Sequence, residues 1–389
     1  MPIPARQAPL PWITWGKAGA SQLIVWHHLV HYGPLVDRAE QVVPDFVNWL
    51  DTQALMAVQV FLVIAGFLAT RSLWPRPDAP SVVLSEWPRR VWQRYRRLAP
   101  PYLAALMVVV VCSAMARGLM KDVDTPAAPT VAQALAHALM LQDVLDQPAL
   151  SAGVWYVAMD LQLFALLALL ASLIARKTSP TTSKVPSRRS FLTYVPLILL
   201  VSAALTSLCI FNLNSSGDIW APYFFGAYAF GVLAAWGTNK SLPGNKTGAS
   251  LLIGALLALA LTLQWRDRIA LAGLTALILL WQPGRWALVR SPINPLMEWL
   301  GKISYSVFLI HYPVSLAVNA LVVRLLPDST PIHVAGLLIA WLLSLACGWL
   351  LWRGVESNMS SARSPASPHE ASPGLGAILT SSARQEKAG

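Results

Sequence analysis

"GKAGASQLIVWHHLVHYG", residues 16–33, decides how the whole chain is read. Its middle is apolar enough for a membrane helix, yet it carries Lys17, His27, His28 and His31. Imidazole loses hydration in hydrocarbon, so a histidine at that depth needs a partner or a task. If this stretch crosses a membrane, other spans must enclose its polar side.

The rest of the chain meets that requirement. Of 389 residues, 56% are hydrophobic and 12% are charged, against about 25% charged in soluble domains. The net charge of +11 does not point to nucleic acid, because the basic residues cluster between apolar runs rather than on one domain. Cys112, Cys209 and Cys347 all fall inside apolar runs and read as small core residues, not a disulfide framework or zinc site. No short apolar run followed by a small-residue cleavage site precedes residue 18, so no cleaved signal peptide is expected.

A bilayer core needs roughly 20 apolar residues per helix. Ten candidate spans follow, near 18–33, 52–73, 98–118, 153–175, 191–212, 219–236, 248–264, 269–282, 302–323 and 332–353. The expected fold is an all-α polytopic membrane protein. With both termini in the cytoplasm, 23 lysines and arginines fall inside and six outside, the asymmetry the positive-inside rule demands. "TVAQALAHALMLQDVL" (130–145) has helical period but limited length, and reads as an amphipathic helix lying at the interface. "KTSPTTSKVPSRRS" (177–190) reads as a polar cytoplasmic loop. The membrane domain is expected over 1–356, followed by a Ser/Pro/Ala-rich cytoplasmic tail, 357–389, too poor in apolar residues to fold.

Three spans bring ionisable groups into the middle of the membrane. His28 lies 11 residues beyond Lys17, on nearly the same helix face and about 16 Å further along the axis. His27 and His31 flank it on one arc, so all three histidines can face the interior. Asp160 in "WYVAMDLQLFALL" (155–167) is placed about 10 Å below the outer edge, and His311 in "GKISYSVFLIHYPV" (301–314) about 13 Å above the inner one. Groups at such depth pair with each other or line a wet cavity. His27 and His31 also have the i, i+4 spacing of metal ligands, but no obvious further ligand set completes a site, so no metal is expected.

"RRVWQRYRRLAPPYL" (89–103) opens the third span, with Arg90, Arg94 and Arg97 on one helical face. Guanidinium forks suit phosphates, so a cytosolic ligand carrying several phosphates would find its site there.

These pieces resemble the integral-membrane acyltransferase 3 family, from Lys17 to about Glu356. The spacing from Lys17 to His28 is similar to its first-helix motif of a basic residue, ten residues and a histidine. "FLVIAGFL" (61–68), "RRVWQRYRRLAPPYL", "VWYVAMDLQLFALL" (154–167) and "LGKISYSVFLIHYPV" (300–314) resemble further family segments, in the family's order. Lysine stands at 17 where the family usually has arginine, aspartate at 160 where it has glutamate, and alanine at 65 where it has serine.

The resemblance implies a bacterial inner-membrane O-acyltransferase. It would move an acyl group, often acetyl, from acyl-CoA to a hydroxyl of a carbohydrate or lipid-linked acceptor. It also implies that His28 is the catalytic histidine and Lys17 its basic partner. Arg94 and Arg97, with Arg90 beside them, would lie near coenzyme A, and Asp160 and His311 would line the active cavity. On the residues alone, Asp160 is expected to orient an imidazole. The rival reading is a permease using the midplane groups as a relay, against which no inverted repeat is visible.

Overall fold

The computed structural model describes residues 10–74, 84–121, 125–178, 186–238 and 245–361, and every regular element among them is helical. The elements are α1 (Pro11–His31), α2 (Val36–Glu40), α3 (Pro44–Gln53), α4 (Val58–Leu73), α5 (Trp87–Leu119), α6 (Val131–Ala138), α7 (Val154–Thr178), α8 (Pro186–Cys209), α9 (Ala221–Thr238), α10 (Lys246–Leu263), α11 (Asp267–Trp281), α12 (Arg285–Arg290), α13 (Asn294–Leu325), α14 (Thr330–Leu351) and α15 (Ser357–Ser361). A helix occupies each of the ten stretches expected to span. Six segments are long and apolar enough to cross a membrane: 44–73, 84–119, 154–172, 246–263, 294–325 and 330–359. The helices α1, α8, α9 and α11 fall outside that set, α1 for its polar residues and α11 for its 15-residue length.

Burial sorts the helices into a centre and a rim. In α13, 78% of the apolar window is buried, against 17% in α10 and 28% in the last span. Helix α13 packs on α1, α5 and α14, while α4 packs on α9. From Ala221 to Trp236, α9 is buried at every residue except Pro222, so protein surrounds it on all sides. Close approach of α4 and α9 depends on glycine: a Cβ on Gly66 would sit 2.1 Å from the Tyr228 carbonyl oxygen, and one on Gly231 would sit 1.9 Å from that of Val63. Small residues let helix backbones touch where lipid offers no hydrophobic drive for association. Polar α1 is tolerated because its groups find partners on neighbouring helices. Gln22 accepts from Trp341 at 2.9 Å, and Trp15 donates to Asn294 at 3.0 Å.

Two expectations are corrected. The helix expected over 130–145 ends at Ala138, because Met140 turns left-handed at φ 57°. The Met140 N–H bonds to the His137 carbonyl and the Leu141 N–H to the Ala136 carbonyl, the paired bonds of a Schellman stop. Its start is a capping box between Thr130 and Gln133. The short helix still lays Val131, Leu135 and Leu139 on its exposed face, as an interfacial element would. Helical structure runs on past residue 356. A π-helical turn over Trp352–Glu356 carries α14 into α15, and Ser357 and Asn358 bond back to the Arg353 and Gly354 carbonyls. The stretch 177–190, expected as a loop, is helical at both ends, since α7 runs to Thr178 and α8 opens at Pro186; 179–185 and the tail beyond 361 lie outside the described residues.

Candidate active site

The two buried histidines meet. His28, near the end of α1, and His311, in the middle of α13, are both buried, with His28 Nδ1 2.7 Å from His311 Nε2 and the rings stacked at 4.9 Å. The other nitrogen of His311, Nδ1, lies 3.3 Å from the Val307 carbonyl. A carbonyl only accepts, so Nδ1 of His311 carries its hydrogen and Nε2 presents a lone pair. His28 then donates from Nδ1, and its own Nε2 is left with a lone pair. One imidazole thus fixes the tautomer of the other, as a carboxylate or carbonyl does for the base of a hydrolytic triad.

The flanking histidines separate in role. His27 is buried with Nδ1 3.2 Å from the Leu50 carbonyl. His31 does not face the interior as expected: it is half exposed and pairs with Asp51 at 2.7 Å. It sits in the last turn of α1, beside α3, whose Asp51 satisfies it. The two rings stack at 5.2 Å. Among the described residues, no group of three or more metal-type ligands converges.

At the basic end of the bundle, a cavity of about 640 Å³ opens among α1, α4, α5, α7, α13 and the π-helical turn, inside the range of roughly 300–1,000 Å³ common for small-molecule sites. Its described lining holds four cations, Lys17, Arg90, Arg94 and Arg97, against two carboxylates, Asp160 and Glu356. Asp160 does not reach an imidazole, contrary to expectation. It grips Arg94, whose Nε and Nη2 donate at 3.1, 2.8 and 2.7 Å, and the guanidinium lies 5.4 Å from the Phe164 ring. Axial depth estimated from sequence carried no azimuth, and a long arginine on α5 closes the gap to α7.

Arg94 is therefore committed to a protein partner, whereas Arg90 keeps unspent capacity. One nitrogen of Arg90 bonds Glu86 at 3.3 Å, but its Nε is buried with no protein acceptor. A buried donor without a partner at the wall of a cationic cavity fits an anionic ligand. Glu356, brought into the lining by the π-helical turn, accepts from Ser306 at 2.7 Å and faces the charges of Lys17 and Arg97. Glu356 and Ser306 were not singled out from sequence. The only signal was a carboxylate just past the last apolar run.

Contrary to expectation, His311 does not line this cavity with Asp160, and neither does His28; Phe308, one turn earlier on α13, takes the lining position instead. Phe308 joins the two places: its ring lies 6.1 Å from the His311 imidazole, and it packs against Phe61 and Tyr156, which also line the cavity.

A helical membrane bundle with a buried imidazole pair and a cation-lined chamber is the class these features define. Residues 10–353 match the family model of the acyltransferase 3 proteins, described as an acyltransferase domain, and the chain belongs to that family. No curated protein and no solved structure matches it.

Proposed function

We propose that this membrane acyltransferase uses a cytosolic acyl-CoA, with acetyl the leading candidate, as donor and esterifies a hydroxyl of a carbohydrate or lipid-linked acceptor. In this reading ten helices span the bacterial inner membrane with both termini in the cytoplasm. The excess of basic residues at the cavity end supports that orientation. The observation that carries the reading is the 2.7 Å imidazole pair, set in series with a chamber of four cations.

The residues divide the work as follows. Arg90 and Arg97, with Lys17, hold the donor's phosphates. Arg94 is a positioning residue, locked by Asp160, that keeps α5 and α7 in register at the chamber wall. Asp160 thereby loses the imidazole-orienting role it was given from sequence, and His311 takes that role. His28 Nε2 removes the hydroxyl proton as the acceptor oxygen attacks the thioester carbonyl. The carbon–sulfur bond breaks, and the proton returns to the departing thiolate. Direct transfer and an acyl-imidazole relay both use the same lone pair on His28.

The test is acyl transfer from acyl-CoA in membranes carrying His28→Ala. Loss of a general base costs typically 10²–10⁴-fold, and transfer at the unmodified rate overturns the assignment. His311→Ala is expected to lose less than His28→Ala. The double variant is expected to be no worse than His28→Ala alone, since groups acting as one unit are not additive.

A further inference from the structure

We infer that Phe61, Tyr156 and Phe308 form a three-ring gate between the cationic chamber and the histidine pair, and that Phe308 sets the length of acyl group that reaches His28. The inference rests on the acyl-transfer reading above. Each ring comes from a different helix, α4, α7 and α13. All three touch one another, with centroids 5.9 Å apart for Phe61 and Tyr156, 6.2 Å for Phe61 and Phe308, and 5.5 Å for Tyr156 and Phe308. Each lines the chamber, while neither His28 nor His311 does. The rings therefore close the chamber's inner end against the pair.

Phe308 is the ring placed to decide what passes. It is buried, and His311 lies 6.1 Å beyond it. Its far edge is braced by Gly153, the residue before α7, whose φ is +80° and where an added Cβ would come within 2.8 Å of Phe308 Cζ. Phe61, Tyr156, Gly153 and His311 thus hold the ring on four sides. A thioester carbonyl can meet His28 only if this ring moves aside. The space released by one displaced ring takes an acyl group of a few carbons, and a longer chain would also have to displace Phe61 or Tyr156. Exclusion by packed rings is steric, so discrimination should fall when a ring is removed rather than when a polar atom is.

The experiment compares kcat/KM for acetyl-CoA and octanoyl-CoA in the unmodified protein, Phe308→Ala, Phe308→Leu and Tyr156→Phe. The octanoyl-to-acetyl ratio should rise at least tenfold in Phe308→Ala, by less in Phe308→Leu, and stay unchanged in Tyr156→Phe, which keeps its ring. Phe308→Leu keeps the test alive if the alanine variant does not fold. A second readout needs no turnover. In vesicles exposing the basic face, modification of His28 and His311 by diethyl pyrocarbonate, followed by mass spectrometry, should be faster in Phe308→Ala. If both the chain-length ratio and the modification rates match the unmodified protein, the gate is overturned. That result is distinct from retained transfer in His28→Ala, which overturns the catalytic reading while leaving the accessibility result standing.

Discussion

At the scale of single residues, the most consequential contact is the one that joins Arg94 to Asp160. Both side chains are largely withdrawn from solvent, and the carboxylate takes the guanidinium through both oxygens. Removing one member of a buried pair strands the other charge, which typically costs about 3–5 kcal/mol. Asp160→Asn and Arg94→Ala should each lower the thermal stability of the detergent-solubilised protein by that order. The double variant should lose less than the two losses added, because the members share one interaction. The convergence of His28 and His311 was readable in the sequence, since two ionisable groups in separate apolar runs had to find a common polar place. The Arg94–Asp160 contact was not. Helical period gives height and a local face, but the rotation of α5 against α7 is set by packing that only the folded bundle shows. The same blindness put His31 inside, when its neighbour Asp51 on α3 holds it at the surface.

Among the elements, the crossing of α4 and α9 is the tightest constraint. Gly66→Ala forces a methyl against the Tyr228 carbonyl oxygen, and overpacking of this kind costs about 1–3 kcal/mol. A lowered melting temperature with preserved helical content would report it. "FLVIAGFL" was legible as a motif, but its glycine gains a physical reason only once α9 lies across it.

Helix α6 supplies a pH-dependent joint outside the spans. His137 donates from Nδ1 to the Gln133 carbonyl at 2.8 Å and accepts the Leu150 N–H at Nε2, 3.1 Å away. Burial holds its pKa below the usual imidazole value, against the smaller opposing pull of the Gln133 carbonyl. Because the folded value is the lower one, the unfolded chain binds more protons on acidification, and the contribution to stability is complete above the ordinary pKa of about 6.5. It declines as pH falls below that toward the depressed value. The protection factor of the Leu150 amide, its exchange rate relative to the free peptide at the same pH, should therefore fall in mildly acidic buffer and stay high at neutral pH. The early end of this helix was not legible, since methionine is not a residue from which a left-handed stop is read.

For the whole molecule, the helices stand where apolar runs were found, because hydrocarbon thickness imposes a length that composition reveals directly. Which runs are central was not visible. Helix α9 reads as a short, weak span, yet protein encloses it, while the strongly apolar 330–359 segment stands at the rim. Apolarity measures suitability for lipid, and a helix shielded from lipid needs less of it. The orientation belongs to this scale too. Reporter fusions at residue 1 and after residue 389 should both be active only in their cytoplasmic form, and a periplasmic signal at either end would reverse the arrangement of chamber and donor.

Enclosure of α9 has a consequence for how the protein meets membranes of different composition. A change in bilayer thickness would fall first on α10 and on the 330–359 segment, the spans least buried by protein, and would be answered by their tilt. The jacketed helix sees no acyl chains, so hydrophobic mismatch reaches it only through its neighbours. Adaptation to a new host membrane would accordingly be written in substitutions along the outer shell, with the α4–α9 crossing left untouched.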